Sequence, residues 1–234
     1  MNRVDPGVVS VLMMGAAMDA LGEQQAVSEI LTIFSGLFDG PPPPAVAVLL
    51  LRDTFPAVRR LLDLPPSSRI IRSDDFEREY EALFLIPTHD HLSPYTSYHR
   101  RVGEPPWDSF AADLAALASA MDIPWRKEEF APGRALPISP DHLSVEMGIA
   151  AILLVAEDAG ITSPKPAQIW IQRIMVDCAN ALEEMKNYLE TLQRPPPAYG
   201  EVVELAAAFL KECVILEVWD WLRPAPLGAC SAFL

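Results

Sequence analysis

Twenty-three prolines in 234 residues constrain this chain more than any other feature, because of where they stand. Proline removes a backbone donor and resists the interior of a helix or of a central strand. Here most prolines fall between stretches whose apolar residues recur every three or four positions. They therefore delimit helices and do not interrupt them. Asp5-Pro6 opens the first such stretch, with Val9, Leu12, Met13, Ala16 and Ala20 on its apolar face. A second runs from about Glu23 to Phe38, with Val27, Ile30, Leu31, Phe34 and Leu37 in line, and stops at Gly40 and the prolines at 41–44. A third covers roughly Ala45 to Leu62 and ends at Pro65-Pro66.

The same punctuation continues downstream. Asp74 and Glu77 have capping-box spacing and open a segment that carries Tyr80, Leu83 and Phe84 and stops at Pro87. Pro105-Pro106 precede a helix through Ala120, and Ser139-Pro140 and Ser163-Pro164 each look like a cap followed by a first-turn proline. The helix after Pro164 is long, reaching about Leu192 before Pro195-Pro196-Pro197, and a last one runs from about Tyr199 to Leu222. Strand signals are almost absent, since runs such as Val214-Ile215 sit within helical spacing. The expectation is an all-α chain of about nine helices in one domain spanning 1–234. An irregular stretch from about Arg126 to Pro137 serves as a hinge, which reaches 142 when the following turn is included. It separates an N-terminal part (about 1–125) from a C-terminal part (about 143–234).

Composition narrows the function. The chain is 50 % apolar, enough for a folded core. A formal charge of −14 opposes nucleic acid and anionic membrane surfaces and favours a basic partner, although it also serves plain solubility. No apolar run approaches the ~18 residues of a membrane helix, and the start of the chain has no secretory signal pattern. Cys178, Cys213 and Cys230 are widely spaced, so buried thiols in a reducing cytoplasm are expected in place of a disulfide framework or a zinc site.

Two motifs stand out. In the first, Tyr80, Leu83 and Phe84 lie at i, i+3 and i+4 and share a helix face. Pro87 follows, then His89-Asp90-His91, then Pro94-Tyr95 and Ser97-Tyr98. Aromatic and polar groups at one helix end suit a peptide groove, with apolar pockets for side chains and tyrosine hydroxyls for backbone groups. The same spacing equally describes a core stripe. In the second motif, Asp141 and His142 fall in the first turn after Ser139, where the helix dipole favours Asp141, and Glu146 lies one turn beyond His142.

Neither motif holds the residue set of a catalytic centre. There is no Gly-x-Ser-x-Gly elbow, no dinucleotide fingerprint and no phosphate loop. A metal-dependent hydrolase built from His89, His91, His142 and Glu146 is the enzymatic alternative, yet His-x-x-x-Glu supplies only two ligands and lacks the second histidine of a zinc-protease helix. A plain helical scaffold is the other alternative. Arg59-Arg60 and Arg100-Arg101 read as solvated or ion-paired surface, and Trp219, Trp221, Tyr199 and Phe209 as packing of the last helix.

Glu79-Tyr80-Glu-Ala-Leu83-Phe84 with Pro87, then Pro94-Tyr95-Thr-Ser97-Tyr98, then Pro140-Asp141-His142-Leu143 with Glu146 resemble, in order and spacing, the TorD/DmsD/NarJ family of molybdoenzyme-maturation chaperones. Thr96 stands where relatives often carry glutamate, and Pro140 directly abuts Asp141, where many relatives have one residue more. The resemblance implies a non-catalytic cytoplasmic chaperone. Such a chaperone binds the N-terminal leader, often twin-arginine, of a molybdopterin-dependent catalytic subunit and holds the apo-subunit for cofactor insertion before export. It further implies no cofactor of its own beyond weak guanine-nucleotide binding in some members, and a monomer or domain-swapped dimer. Under it, Tyr80, Leu83 and Phe84 would meet the apolar part of the peptide and Asp141 and His142 its basic or polar part, with Pro87, Tyr95, Ser97, Tyr98 and Glu146 also in the peptide site.

Overall fold

The computed structural model describes residues 23–86, 91–99, 109–120, 140–158 and 164–215. Among them every regular element is helical, and the single β feature is an isolated bridge between Tyr95 and His142. The expected first helix, the stretch from Arg126 to Pro137 and the end of the last helix with Trp219 and Trp221 lie outside the described residues.

Helix α1 (Glu23–Asp39) buries the apolar face expected of it, including Val27, Ile30, Leu31, Phe34 and Leu37. It packs against α6 (Leu143–Asp158), and α6 in turn against α7 (Pro164–Thr191), which also carries α8 (Pro197–Ile215). Two serines fasten α1 to α6, Ser28 Oγ donating to the Ala151 carbonyl at 2.9 Å and Ser35 Oγ to the Ser144 carbonyl at 2.7 Å. The fit is close enough that a Cβ on Gly148 would lie 3.3 Å from Ser35 Oγ. A Cβ there would require the Ser35 hydroxyl, already bonded to the Ser144 carbonyl, to give way by a few tenths of an ångström. Helix α5 (Ser109–Ala120) contributes Phe110, Leu114 and Ala118 to the same core.

Pro56 falls well within a continuous helical run. Helix α2 (Pro44–Leu49) continues through a wide π turn (Leu50–Thr54) into α3 (Phe55–Leu61), and Pro56 sits at the start of α3. A proline ring collides with the carbonyl four residues earlier, and the wider turn makes room for it without ending the helix. Helix α3 then closes in a Schellman turn. The amide of Leu64 donates to the Arg59 carbonyl at 2.8 Å, and Asp63 takes the left-handed conformation with φ 51°. Helix α4 (Asp75–Tyr80) runs into a second π turn (Glu81–Leu85). The capping box expected from Asp74 and Glu77 does not form. Asp74 makes no side-chain cap, and Asp75 instead reaches back to accept the amide of Arg72 at 2.8 Å while its own amide donates to the Arg72 carbonyl.

No helix among the described residues is long and apolar enough to cross a membrane. Cys178 and Cys213 are free and buried, and burial raises both thiols, that of Cys213 to about 12.

Candidate functional site

The backbone joins the two sequence motifs. The amide of Thr96 donates to the Asp141 carbonyl, and the amide of Leu143 to the Pro94 carbonyl, both at 2.9 Å. This short antiparallel pairing of Tyr95 with His142 holds the Pro94 turn against the start of α6. It also corrects the expected position of Asp141 and His142. They precede the helix, which begins at Leu143, because their peptide groups are engaged across the bridge and not in a helical turn. His142 serves as the cap, its carbonyl accepting the amide of Glu146 at 3.0 Å.

Side chains complete the junction. The rings of Tyr95 and His142 meet edge to face with centroids 5.1 Å apart, and Tyr98 lies tilted against Tyr95 at 6.5 Å. His142 Nδ1 accepts the Ser144 amide at 3.2 Å and lies 2.7 Å from the Ser144 hydroxyl. A ring nitrogen that accepts from an amide carries no proton, so the neutral ring is protonated on Nε2. Burial lowers the His142 pKa to about 4 and keeps the ring neutral. Glu146 is fully buried; its Oε1 accepts from the Thr96 hydroxyl at 2.7 Å and its Oε2 from the Cys178 thiol at 3.3 Å. His142 and Glu146, one turn apart in sequence, thus bond to separate partners. The turn Thr96–His99 is tied to α7 through His99, whose Nδ1 lies 3.5 Å from Glu184, and Ser97 in that turn is half-buried.

One member of the junction stands apart. Asp141 is 1 % exposed, and neither of its carboxyl oxygens has a hydrogen-bond partner among the described residues. Burial without a partner costs a polar group about 1–3 kcal/mol, so such groups are uncommon in folded proteins. Burial first, then the nearby Asp141, push the Tyr95 phenol above its ordinary pKa.

Tyr80, Leu83 and Phe84 do share a face, but it points inward. They are 7, 3 and 5 % exposed, which corrects the expectation of an open groove face. Phe84 packs edge-on against Tyr199 at 5.2 Å and Phe38 at 6.1 Å, and lies 5.3 Å from Tyr80. The tyrosine hydroxyls, expected to meet a ligand's backbone, meet this chain's own. Tyr80 donates to the Asp39 carbonyl at 3.0 Å and Tyr199 to the Leu37 carbonyl at 2.9 Å. Both carbonyls belong to the last turn of α1, where no helical partner exists. The exposed apolar groups are instead Leu85 and Ile86, 42 and 51 % open at the end of this segment, and Tyr98 at 74 %. The Leu92 amide, bonded to the Leu83 carbonyl at 2.7 Å, ties the return of the chain to that end. Pro87, His89 and Asp90 lie outside the described residues.

Glu79 was hidden in the motif. Its Oε2 accepts the amides of Ala198 and Tyr199, each at 2.9 Å, and so caps α8 from a buried position. Burial raises its pKa to about 7, against the pull of those two amides. The signal was present in the sequence, because Glu79 and Leu83 stand four apart and share the apolar face. Cys178 and Thr96 had no such signal, since their meeting with Glu146 depends on how α7 docks. His91 is exposed, and no group of three His, Cys, Asp or Glu among the described residues is placed to hold a metal ion.

The helices pack so that an aromatic turn and a Pro-Asp-His-Leu turn are joined through one backbone bridge. The model of the nitrate reductase delta subunit family matches residues 57–212, well over half of the chain, and the chain belongs to that family. The match contains both motifs, so the likeness to TorD/DmsD/NarJ chaperones rests on the segments that carry it. No curated protein and no solved structure matches the chain. Members of the family are chaperones of redox-enzyme maturation and not enzymes, and membership implies a molybdoenzyme catalytic subunit as partner.

Proposed function

We propose that this chain is a cytoplasmic chaperone that captures the N-terminal leader of a molybdopterin-dependent catalytic subunit and holds the apo-subunit until its cofactor is inserted. The observation that carries this reading is the carboxyl of Asp141, buried beside Tyr95 and His142 with no hydrogen-bond partner among the described residues. A guanidinium is the side chain best matched to two carboxylate oxygens at once, and the contact is charge-assisted. Neutral His142 adds no competing positive charge. Tyr98, tilted against Tyr95, and Leu85 and Ile86 at the end of the Tyr80 segment supply exposed apolar surface for the apolar part of a leader. Tyr80, Leu83 and Phe84 support that surface from behind. Because Asp141 is buried, the peptide reaches it only when the site opens, which slows association.

Calorimetric titration with the leader peptide of a molybdoenzyme catalytic subunit from the same host tests this. Asp141→Asn, which keeps the shape and removes the charge, is expected to weaken binding about 10-fold or more, and replacing the peptide's arginines with glutamine is expected to do the same. Equal affinity of wild type and Asp141→Asn for the unmodified leader would remove Asp141 from the site.

A further inference from the structure

A second feature lies away from the Tyr95–His142 junction. The α2–α3 helix, the segment after α3 and the first turns of α8 enclose a pocket of about 510 Å³. This is within the usual size range of sites for small ligands. Its apolar lining is formed by Leu51, Phe55, Pro56, Leu64 and Ile71. Its polar lining is formed by Arg59, Arg60, Arg69, Ser67 and Glu201.

The charges in this pocket are mostly spoken for. Glu201, 1 % exposed, accepts from Arg59 Nε at 2.6 Å and Nη2 at 3.0 Å, from Ser67 Oγ at 2.7 Å and from Arg69 Nη1 at 2.9 Å. Arg59 also donates to Glu204 at 3.0 Å and to the Pro65 carbonyl at 2.7 Å, and Arg69 pairs with Glu204 as well. Burial alone would raise the Glu201 pKa, but the hydrogen bonds from Arg59 and Ser67 outweigh it and hold the carboxylate ionised. Glu201 has no capacity left for a ligand's cation. Arg60 is different, for it is exposed at the pocket and has no ion-pair partner among the described residues. Three guanidiniums against Glu201 and Glu204 leave one positive charge uncompensated, in a chain whose net charge is −14.

We propose that this pocket binds a monocarboxylate carried on an apolar body, with Arg60 pairing the carboxylate and Leu51, Phe55 and Ile71 enclosing the body. A single uncompensated guanidinium matches one negative charge. A polyphosphate brings more charge than this offsets and would face Glu201. The ligand's carboxylate comes either from a free aryl or alkyl acid or from the C-terminus of a peptide ending in an apolar residue.

Calorimetry on the full chain separates these sources with four probes: 3-phenylpropanoate, its amide, a short peptide ending in phenylalanine with a free carboxylate, and the same peptide amidated. At least one acid is expected to bind about 10-fold or more tightly than its amide. Arg60→Gln is expected to erase that preference while leaving the melting temperature unchanged, because Arg60 is exposed. Leu51→Trp, which fills the pocket, is expected to abolish binding of either acid. The tighter of the two acids identifies the source. Binding of neither acid, equal binding of acid and amide, or an acid preference that survives Arg60→Gln would overturn the proposal.

Discussion

The hydroxyl of Thr96 donates to Oε1 of Glu146 at 2.7 Å, inside a protein where neither group meets solvent. This bond ties the two sequence motifs together through their side chains, beside the backbone bridge that ties them through their peptides. Valine has the shape of threonine without the hydroxyl. Thr96→Val therefore removes a donor from a fully buried carboxyl group and is expected to cost about 1–3 kcal/mol, measured by urea denaturation. An unchanged midpoint would mean that Glu146 takes no stability from this contact.

Asp141 offers the opposite case. Leucine fills a similar space and has no polar atom to satisfy. Asp141→Leu is expected to raise stability by about 1–2 kcal/mol while abolishing the arginine-dependent part of leader binding. A residue that weakens the fold but strengthens binding belongs to a site and not to the core. Thermal unfolding and calorimetry on one preparation check both halves, and a destabilised variant would show that Asp141 has a structural role.

Glu79 gives the fold a dependence on pH with a definite sign. Its carboxyl has an ordinary pKa of 4.5 and a pKa of about 7 in the folded protein. Between these values the folded chain holds a proton that the unfolded chain has lost, so stability falls as pH rises through that window. The expected change is about 2 kcal/mol, and it should flatten in Glu79→Gln, whose amide oxygen still accepts from Ala198 and Tyr199. Denaturant midpoints between pH 5 and pH 8, about the range set by the shift, measure it. Parallel profiles for the two proteins would show that Glu79 titrates normally.

His142 acts in the other direction. Burial lowers its pKa from 6.5 to about 4. In that interval the unfolded chain takes up a proton that the folded chain refuses, and stability falls as the pH drops from 6.5 towards 4. His142→Asn, which preserves an acceptor for the Ser144 amide, is expected to lose about 2 kcal/mol of this acid sensitivity. Proton NMR of the imidazole provides a direct check, and a ring that titrates near 6.5 in the folded protein would contradict it.

Phe84 packs against Phe38, Tyr80 and Tyr199. Phe84→Ala is expected to cost about 3–5 kcal/mol through lost transfer energy and the cavity left behind. Leader affinity per folded molecule should change little. Selective loss of binding at unchanged stability would return Phe84 to the binding surface.

The helices were legible in the sequence because their signals are local. Apolar spacing in 23–39 specifies the buried face of α1, and the prolines at 41–44, 164 and 195–197 mark boundaries that hold in the fold. Where Pro56 sat well within a helical run, the backbone widened around it, a response that spacing alone does not announce. The Asp74–Glu77 capping box failed for a similar reason, since Asp75 was better placed to reach the Arg72 amide.

The sequence alone determined the helical class, the faces that seek burial and the motifs that carry the family likeness, because periodicity and caps act within a few residues. Which way the Tyr80–Phe84 face turns, and what meets Glu146, was decided only by tertiary packing. An i, i+3, i+4 stripe is identical whether it lines a groove or a core. It became core here because α1 and α8 supply Phe38 and Tyr199 to close over it. Asp141 acquired its isolation in the same way, through the Tyr95–His142 bridge, which engages the Asp141 carbonyl and leaves its carboxyl buried without a partner among the described residues.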